Sequence, residues 1–165
     1  VGFPQQLAAV IKNQFPITTI AETGEKIPYT GPNEVMIIGS LANEALFSVQ
    51  LEGGQTLRTG LQIDITGTEG VLRITNARGF QNEDDNLIQG MRNGVEQFID
   101  LPVPAEYTCL PVSHLDASSQ DDDYLYDAYA RDKSSGTSEA TTFEDAVRQH
   151  RLIDQITESS ERFSR

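Results

Sequence analysis

The residues able to do acid–base or ligand chemistry are few in this chain, and their spacing joins them into no complete site. His114 and His150 are the two histidines and Cys109 the one cysteine. His114 has Asp116 two residues away in a proline-flanked loop, a pairing that can orient an imidazole as a base. The sequence supplies it with no evident nucleophile or third partner. His150 falls on an apolar helical stripe and is read as a hydrogen-bonded core histidine. Glu83-Asp84-Asp85 and Asp121-Asp122-Asp123 could attract a divalent cation. Neither has the spaced oxygens and interior glycine of a calcium loop, so both are read as solvated acids. One cysteine excludes an internal disulfide and a cysteine-built zinc site. No G-x-G-x-x-G and no G-x-x-x-x-G-K-[ST] occurs, so neither phosphate-cradling loop is present. Gly67-x-x-Gly70 and Gly53-Gly54 are read as turns. The expectation is no catalytic, cofactor-binding or metal-binding residue in this chain.

Charge narrows the partners. Twelve Lys and Arg against 25 Asp and Glu give a net charge of −13 over 165 residues. Phosphate backbones and anionic lipid surfaces both need concentrated positive charge, so neither nucleic acid nor membrane is expected. No apolar run approaches the roughly 20 residues of a membrane helix. The N-terminus shows no basic-then-apolar signal pattern, and the lone cysteine fits a reducing, cytoplasmic setting. Residues 1–80 hold 7 acids and 5 bases, a net −2, whereas residues 81–165 hold 18 acids and 7 bases, a net −11. The acidic half reads as solvated helix faces and loops.

Hydrophobic periodicity supplies the elements. Pro4 to Lys12 reads as a short helix, with Pro4 in the first turn and Leu7, Val10 and Ile11 at i, i+3 and i+4. From Pro16 the period becomes two. Strands are expected at Ile17–Ala21, Glu34–Leu41, Ala45–Leu51, Leu61–Thr66, Val71–Thr75 and Val95–Leu101. Phe47, Val49 and Leu51 share one face, opposite Ser48 and Gln50; Leu72 and Ile74 point away from Val71 and Arg73. Such alternation predicts one antiparallel sheet of about five to seven strands. Asp121–Asp123 are read as the acidic start of a helix that ends at Lys133-Ser-Ser-Gly136. Thr142 with Asp145 forms a capping-box variant opening a last helix, Phe143 to about Arg162. Phe143, Ala146, Val147, His150, Ile153 and Thr157 form the stripe expected to dock on the sheet. Tyr124 and Tyr126 cannot both face a core, so one is free for a surface contact, and Tyr129 follows in the same helix. Strands in a block followed by helices predict an α+β two-layer sandwich with helices on one face.

Two stretches carry a resemblance. Thr59-Gly-Leu-Gln-Ile-Asp-Ile-Thr-Gly-Thr-Glu-Gly-Val-Leu-Arg-Ile-Thr75 resembles the strand–turn–strand signature of the glucose–fructose oxidoreductase/inositol dehydrogenase (Gfo/Idh/MocA) family. Thr142-Phe-Glu-Asp-Ala-Val-Arg-Gln-His-Arg-Leu-Ile-Asp-Gln-Ile156 is similar to that family's closing helix, and the likeness runs from Gly2 to Phe163. Leu101-Pro-Val-Pro104 looks like the branch containing the galactose/lactose metabolism regulatory protein. The resemblance implies a dihydrodipicolinate-reductase-like C-terminal domain spanning 1–165, whose N-terminal Rossmann half, with its NAD or NADP and its "E-K-P" lysine, lies outside this chain. Glu25-Lys26-Ile27-Pro28 mimics that tripeptide but is read as a loop. The family's "G-H-x-x-D" histidine and aspartate would fall on Phe3 and Gln6, and neither side chain can exchange a proton in their place.

Two functions follow from the resemblance. The chain is the substrate-pocket and oligomerisation domain of an NAD(P)-dependent sugar or polyol oxidoreductase, or it belongs to a non-catalytic regulatory member that senses sugar or dinucleotide and binds protein. Either way its implied partners are its own Rossmann domain and further copies of itself, paired as a dimer or higher through the open sheet face. Leu46 and Val71, with Ile38 beside them, are the interface candidates because they fall opposite the inward-facing sets.

Overall fold

The computed structural model describes residues 2–53, 60–77, 86–108, 110–111 and 116–163. Cys109, His114 and Glu83–Asp85 lie outside the described residues, as does Gly54. The chain is mixed α+β, with nine antiparallel strands and two α-helices among the described residues, and its contacts group into two compact units.

Unit 1 comprises Val1–Thr56 with Thr142–Arg165. It contains β1 (Pro4–Lys12), β2 (Ile17–Thr19), β3 (Lys26–Pro28), β4 (Glu34–Leu41), β5 (Leu46–Glu52) and α2 (Phe143–Phe163). One sheet has the order β1-β4-β5, and β2 and β3 form a separate hairpin. The helix expected at Pro4–Lys12 is therefore a strand. Its apolar residues fit either period, since Leu7, Ala9 and Ile11 also alternate. Pairing along β4, from Pro4↔Leu41 to Lys12↔Glu34, decides the matter, as tertiary context does for weak propensities. Lys26–Pro28, expected as a loop, pairs with Ile17–Thr19 as β3.

Helix α2 opens with the anticipated box: the Thr142 N–H and Oγ1 donate to Asp145 Oδ2 at 3.0 and 2.8 Å, and the Asp145 N–H donates to Thr142 Oγ1 at 3.2 Å. Its docking face is not the anticipated one. The Ala9 N–H donates to Ser159 Oγ at 3.0 Å and the Ile11 N–H to Ser160 Oγ at 2.8 Å. The helix thus covers the edge of β1 that β4 leaves open, which removes a free strand edge. Leu152, Ile156 and Ser159 are half-buried and Ser160 buried on this side, whereas Val147, His150 and Ile153 are exposed and Phe143 is 89% exposed. Apolar residues lie on both sides of α2. The serine hydroxyls, invisible to a hydrophobic pattern, pick the side that meets the strand.

Unit 2, Leu57–Thr141, holds β6 (Leu61–Thr66), β7 (Gly70–Asn76), β8 (Leu87–Arg92), β9 (Ile99–Asp100) and α1 (Ala117–Ser135). Its sheet has the order β6-β7-β8-β9. The Gly67 N–H donates to the Gly70 carbonyl at 2.8 Å, closing the predicted hairpin. β8 was not anticipated, and β9 is shorter than the expected Val95–Leu101. The missed signal is Asn93-Gly94: Gly94 has φ 84°, and the Val95 N–H turns back onto the Arg92 carbonyl at 3.0 Å. Among the described residues the single expected sheet is three sheets, because β1 pairs with β4 past the β2–β3 hairpin and no ladder joins β5 to β6. Gly53 ends one, and Gly60, at φ 79°, opens the next.

Helix α1 begins earlier than expected. Asp116 is its N-cap, accepting from the Ser119 N–H at 3.1 Å and from Ser119 Oγ at 2.8 Å. The first turn carries no acid, so Asp121–Asp123 sit one turn inside. Gly136, at φ 69°, ends the helix as expected. The Asp132 carboxylate then holds the following loop, accepting from Thr137 Oγ1 at 2.7 Å and from the Glu139 and Ala140 N–H groups at 2.8 Å each.

Candidate interaction surface

The register of the three-stranded sheet sorts its side chains onto two faces. Leu7, Ala9 and Ile11 share one face with Val35, Ile37, Val49 and Leu51. Ala9 is 2% exposed there, and with Leu41 it makes up the buried apolar set among the described residues. The opposite face carries three cross-strand rows: Gln6–Ser40–Leu46, Ala8–Ile38–Ser48 and Val10–Met36–Gln50. Met36 is 55% exposed, Ile38 61% and Leu46 86%. Four apolar side chains, Val10 included, therefore stand in water on a face built from adjacent strands.

The rows vary in height, and this shapes the surface. Small side chains at Ala8, Ser40 and Ser48 lie between taller Gln6, Ile38 and Leu46, around a shallow depression of about 670 Å³. Gly39, in the row of Leu7 and Phe47, belongs to the other face, where it leaves room for the Phe47 ring. A Cβ there would strike the Gln6 carbonyl and lie 2.8 Å from the Phe47 ring. The depression offers hydroxyls, one amide and aliphatic walls. Such a surface can bind by shape and apolar contact but has no group to move a proton.

The four-stranded sheet is built differently. Ile63, Ile65, Leu72, Ile74, Ile88 and Ile99 share one face. The other carries a polar row in register across all four strands, Asp64–Arg73–Gln89–Asp100. Arg73 Nε donates to Asp64 Oδ1 at 2.7 Å and Nη2 to Oδ2 at 3.1 Å, while Gln89 Nε2 donates to Asp100 Oδ1 at 2.8 Å. The guanidinium also lies 4.7 Å from the centroid of the Phe98 ring. The Arg73 hydrogen bonds, with one from Gln62, hold the Asp64 carboxyl below its ordinary value.

The residues singled out from the sequence fall in separate places. Leu46 stands on the open face of unit 1 with Ile38 as expected. Val71 is half-buried beside Met91 in the other sheet, so the two form no common strand ladder. Phe3 precedes β1, half over Arg148, whose guanidinium carbon is 5.1 Å from the ring centroid; Gln6 is inside β1. No helix starts at Gly2, so the helix on which the family's histidine and aspartate would sit is replaced by a strand. His150 is exposed on α2 rather than buried. Tyr124 is half-buried and Tyr126 exposed, as their spacing required. Val10 and Met36 were missed. Strict alternation within β1 and β4 is the signal that would have found them. Among the described residues no three His, Cys, Asp or Glu side chains converge as metal ligands. No described helix is long and apolar enough to cross a membrane.

With this geometry in place, known proteins give the fold its relatives. Residues 1–76 match the family model for the C-terminal domain of Gal80p. The matched stretch runs from β1 to the end of β7 and contains the Thr59–Thr75 signature. Two solved structures of Gal80p super-repressor mutants from Saccharomyces cerevisiae are also similar. One has a TM-score of 0.74 at 20% identity, over 97% of this chain and 43% of Gal80p. The other has a TM-score of 0.69 at 19% identity, over 97% and 44%. The chain thus has the fold of the Gal80p C-terminal domain, and it spans less than half the length of those proteins. No curated protein matches the chain.

Proposed function

We propose that this chain is the association domain of a Gal80p-like regulatory protein, pairing with a second copy through the open face of its three-stranded sheet. The observation that carries the reading is the Val10–Met36–Ile38–Leu46 surface, apolar and exposed on the side away from Ala9. Apolar sheet faces of this kind mark interfaces. A two-fold pairing sets the same patch on both subunits, so one substitution acts twice. The super-repressor character of the solved Gal80p mutants supports regulation over catalysis. Phe3 and Gln6, incapable of proton transfer, support it too.

In this reading NAD or NADP belongs to a Rossmann half, and the setting is cytoplasmic. The chain itself offers the dinucleotide no cradle at Gly67–Gly70, where the Gly67 N–H is spent on the hairpin. Calorimetric titration of the chain with either nucleotide should therefore be silent. The rival reading, a sugar or polyol oxidoreductase domain, rests on the two family-like motifs. Turnover of a sugar by the full-length protein with NAD(P) would decide for it.

Light scattering across protein concentration tests the pairing. Ile38→Asp should abolish the dimer and Val71→Asp should spare it. Added salt should strengthen the dimer by screening −13 on each subunit. A monomer at every concentration, or a dimer indifferent to Ile38→Asp, would sink the proposal.

A further inference from the structure

A second exposed surface lies on α1, within unit 2. Asp122, Leu125, Tyr126 and Tyr129 recur at i, i+3, i+4 and i+7, so they form one stripe. Leu125 is 45% exposed, Tyr126 70% and Tyr129 57%. The half-buried residues of the helix, among them Gln120, Tyr124, Asp127 and Ala128, lie on the other side. The stripe is therefore not the helix's own packing face. The helix that carries it is closed at both ends, by the Asp116 cap and by Gly136.

We propose that this stripe docks a basic amphipathic helix of a partner protein. Leu125, Tyr126 and Tyr129 have the spacing by which one helix lies along an apolar strip of another. Tyrosines suit such a contact: each buries a large ring at low entropic cost, and the ring face attracts cations. Exposed Asp121 and Asp122 lie at the N-terminal end of the stripe. Toward the other end the Arg131 guanidinium is drawn to Asp127 at 3.0 Å and Glu139 at 3.2 Å. The acidic end sets the sign of the partner, which must bring Lys or Arg there. A second copy of this chain is a poorer fit: parallel helices oppose acid to acid, and antiparallel ones offer the acids chiefly Arg131, which Asp127 and Glu139 already engage. An anionic membrane is repelled by the same acids.

Fluorescence anisotropy of a labelled synthetic helix of Leu and Lys, titrated with the full chain, tests the proposal. Saturable binding is expected, with a matched Leu/Glu helix showing none. Tyr126→Ala with Tyr129→Ala leaves the charge unchanged and should weaken binding at least about tenfold, as hot-spot aromatics do. Asp121→Asn with Asp122→Asn keeps the rings and should also weaken it, so a misfolded tyrosine variant does not leave the question open. Phe143→Ser, on α2, should change nothing. Three results would overturn the docking face: no saturable binding of the Leu/Lys helix, equal binding of the Leu/Glu helix, or affinity unmoved in both double variants.

Discussion

The two sheets solve the same problem in different ways. The four-stranded sheet of unit 2 gathers its isoleucines on one face and ties the other with Asp64–Arg73–Gln89–Asp100, a row that water can solvate. The three-stranded sheet of unit 1 has apolar side chains on both faces, and α2 is fixed to one edge of it by serine hydroxyls. A sheet with one apolar face needs one cover, and a sheet with two needs two. Unit 1, whose residues 1–56 fall within the stretch matched by the Gal80p C-terminal-domain model, carries the proposed pairing face. The opposite face of the unit 2 sheet is instead tied by its own polar row, through Arg73–Asp64 and Gln89–Asp100.

The largest way to break this contrast is at the bottom of unit 1. Ala9 is 2% exposed between β4 and α2, so Ala9→Asp places an uncompensated charge in the core. A loss of roughly 3–5 kcal/mol is expected, read as a lowered thermal midpoint. A replacement within the polar row that keeps an acceptor for Gln89, such as Asp100→Asn, should barely move the same midpoint. Equal losses at the two sites would erase the distinction between the sheets.

Next in size is the serine seam. Ser160→Ala leaves the Ile11 N–H without its 2.8 Å acceptor, and about 1–3 kcal/mol should go with it. Urea unfolding of Ser160→Ala beside Val147→Ala separates two accounts of α2. If Val147→Ala costs more, the helix docks by its apolar stripe after all.

That seam also shows where the sequence stops being legible. Antiparallel strands, the Gly67–Gly70 turn, the Thr142–Asp145 box and the Gly136 stop all follow from local chemistry, and the structure has each. The errors share a cause. Pro4–Lys12 has apolar residues compatible with two periods, α2 has them on two sides, and only a distant partner chooses. For β1 that partner is β4, and for α2 it is the free edge of β1, more than a hundred residues away. The proposed pairing face was half legible. Alternation within β5 exposed Leu46, but Val10 and Met36 went unseen once β1 was taken for a helix. Val71 shares its parity, yet it belongs to another sheet.

Acid should sharpen the difference between the units. Asp64 and Asp132 in unit 2 and Asp145 in unit 1 all sit below the ordinary carboxyl value of 3.8. The causes are, first, the Arg73 hydrogen bond for Asp64, the Thr137 hydroxyl for Asp132 and the Thr142 N–H for Asp145. A carboxyl with a depressed folded pKa adds stability above its unfolded value, and that stability is lost as pH falls through the folded one. Below about pH 4, then, the loop held by Asp132 and the Asp64–Arg73 pair should loosen in unit 2. In unit 1 only the start of α2 should fray. Amide exchange resolved by residue is the measurement. Uniform loosening of both units from neutral pH would contradict it.

The smallest expected effect lies in the β4–β5 turn, and it has the opposite sign. The Leu41 N–H donates to the Ala45 carbonyl at 2.9 Å, and between them Glu44 holds φ 64°. That left-handed conformation costs an L-residue roughly 1–2 kcal/mol, because its Cβ crowds the following carbonyl. Glycine adopts it freely but gives up more entropy on folding, so part of the gain is cancelled. Glu44→Gly should therefore stabilise unit 1 by about 0.5–1 kcal/mol, seen as a higher urea midpoint at unchanged slope. Asn43→Gly at the neighbouring position works the other way, since Asn43 Oδ1 accepts from the Ala45 N–H at 3.3 Å. The turn also positions Leu46, the most exposed side chain of the proposed pairing face. If Glu44→Gly raises the midpoint while the dimer survives, turn strain and pairing are independent. A lowered midpoint would show that the turn is not left-handed at Glu44.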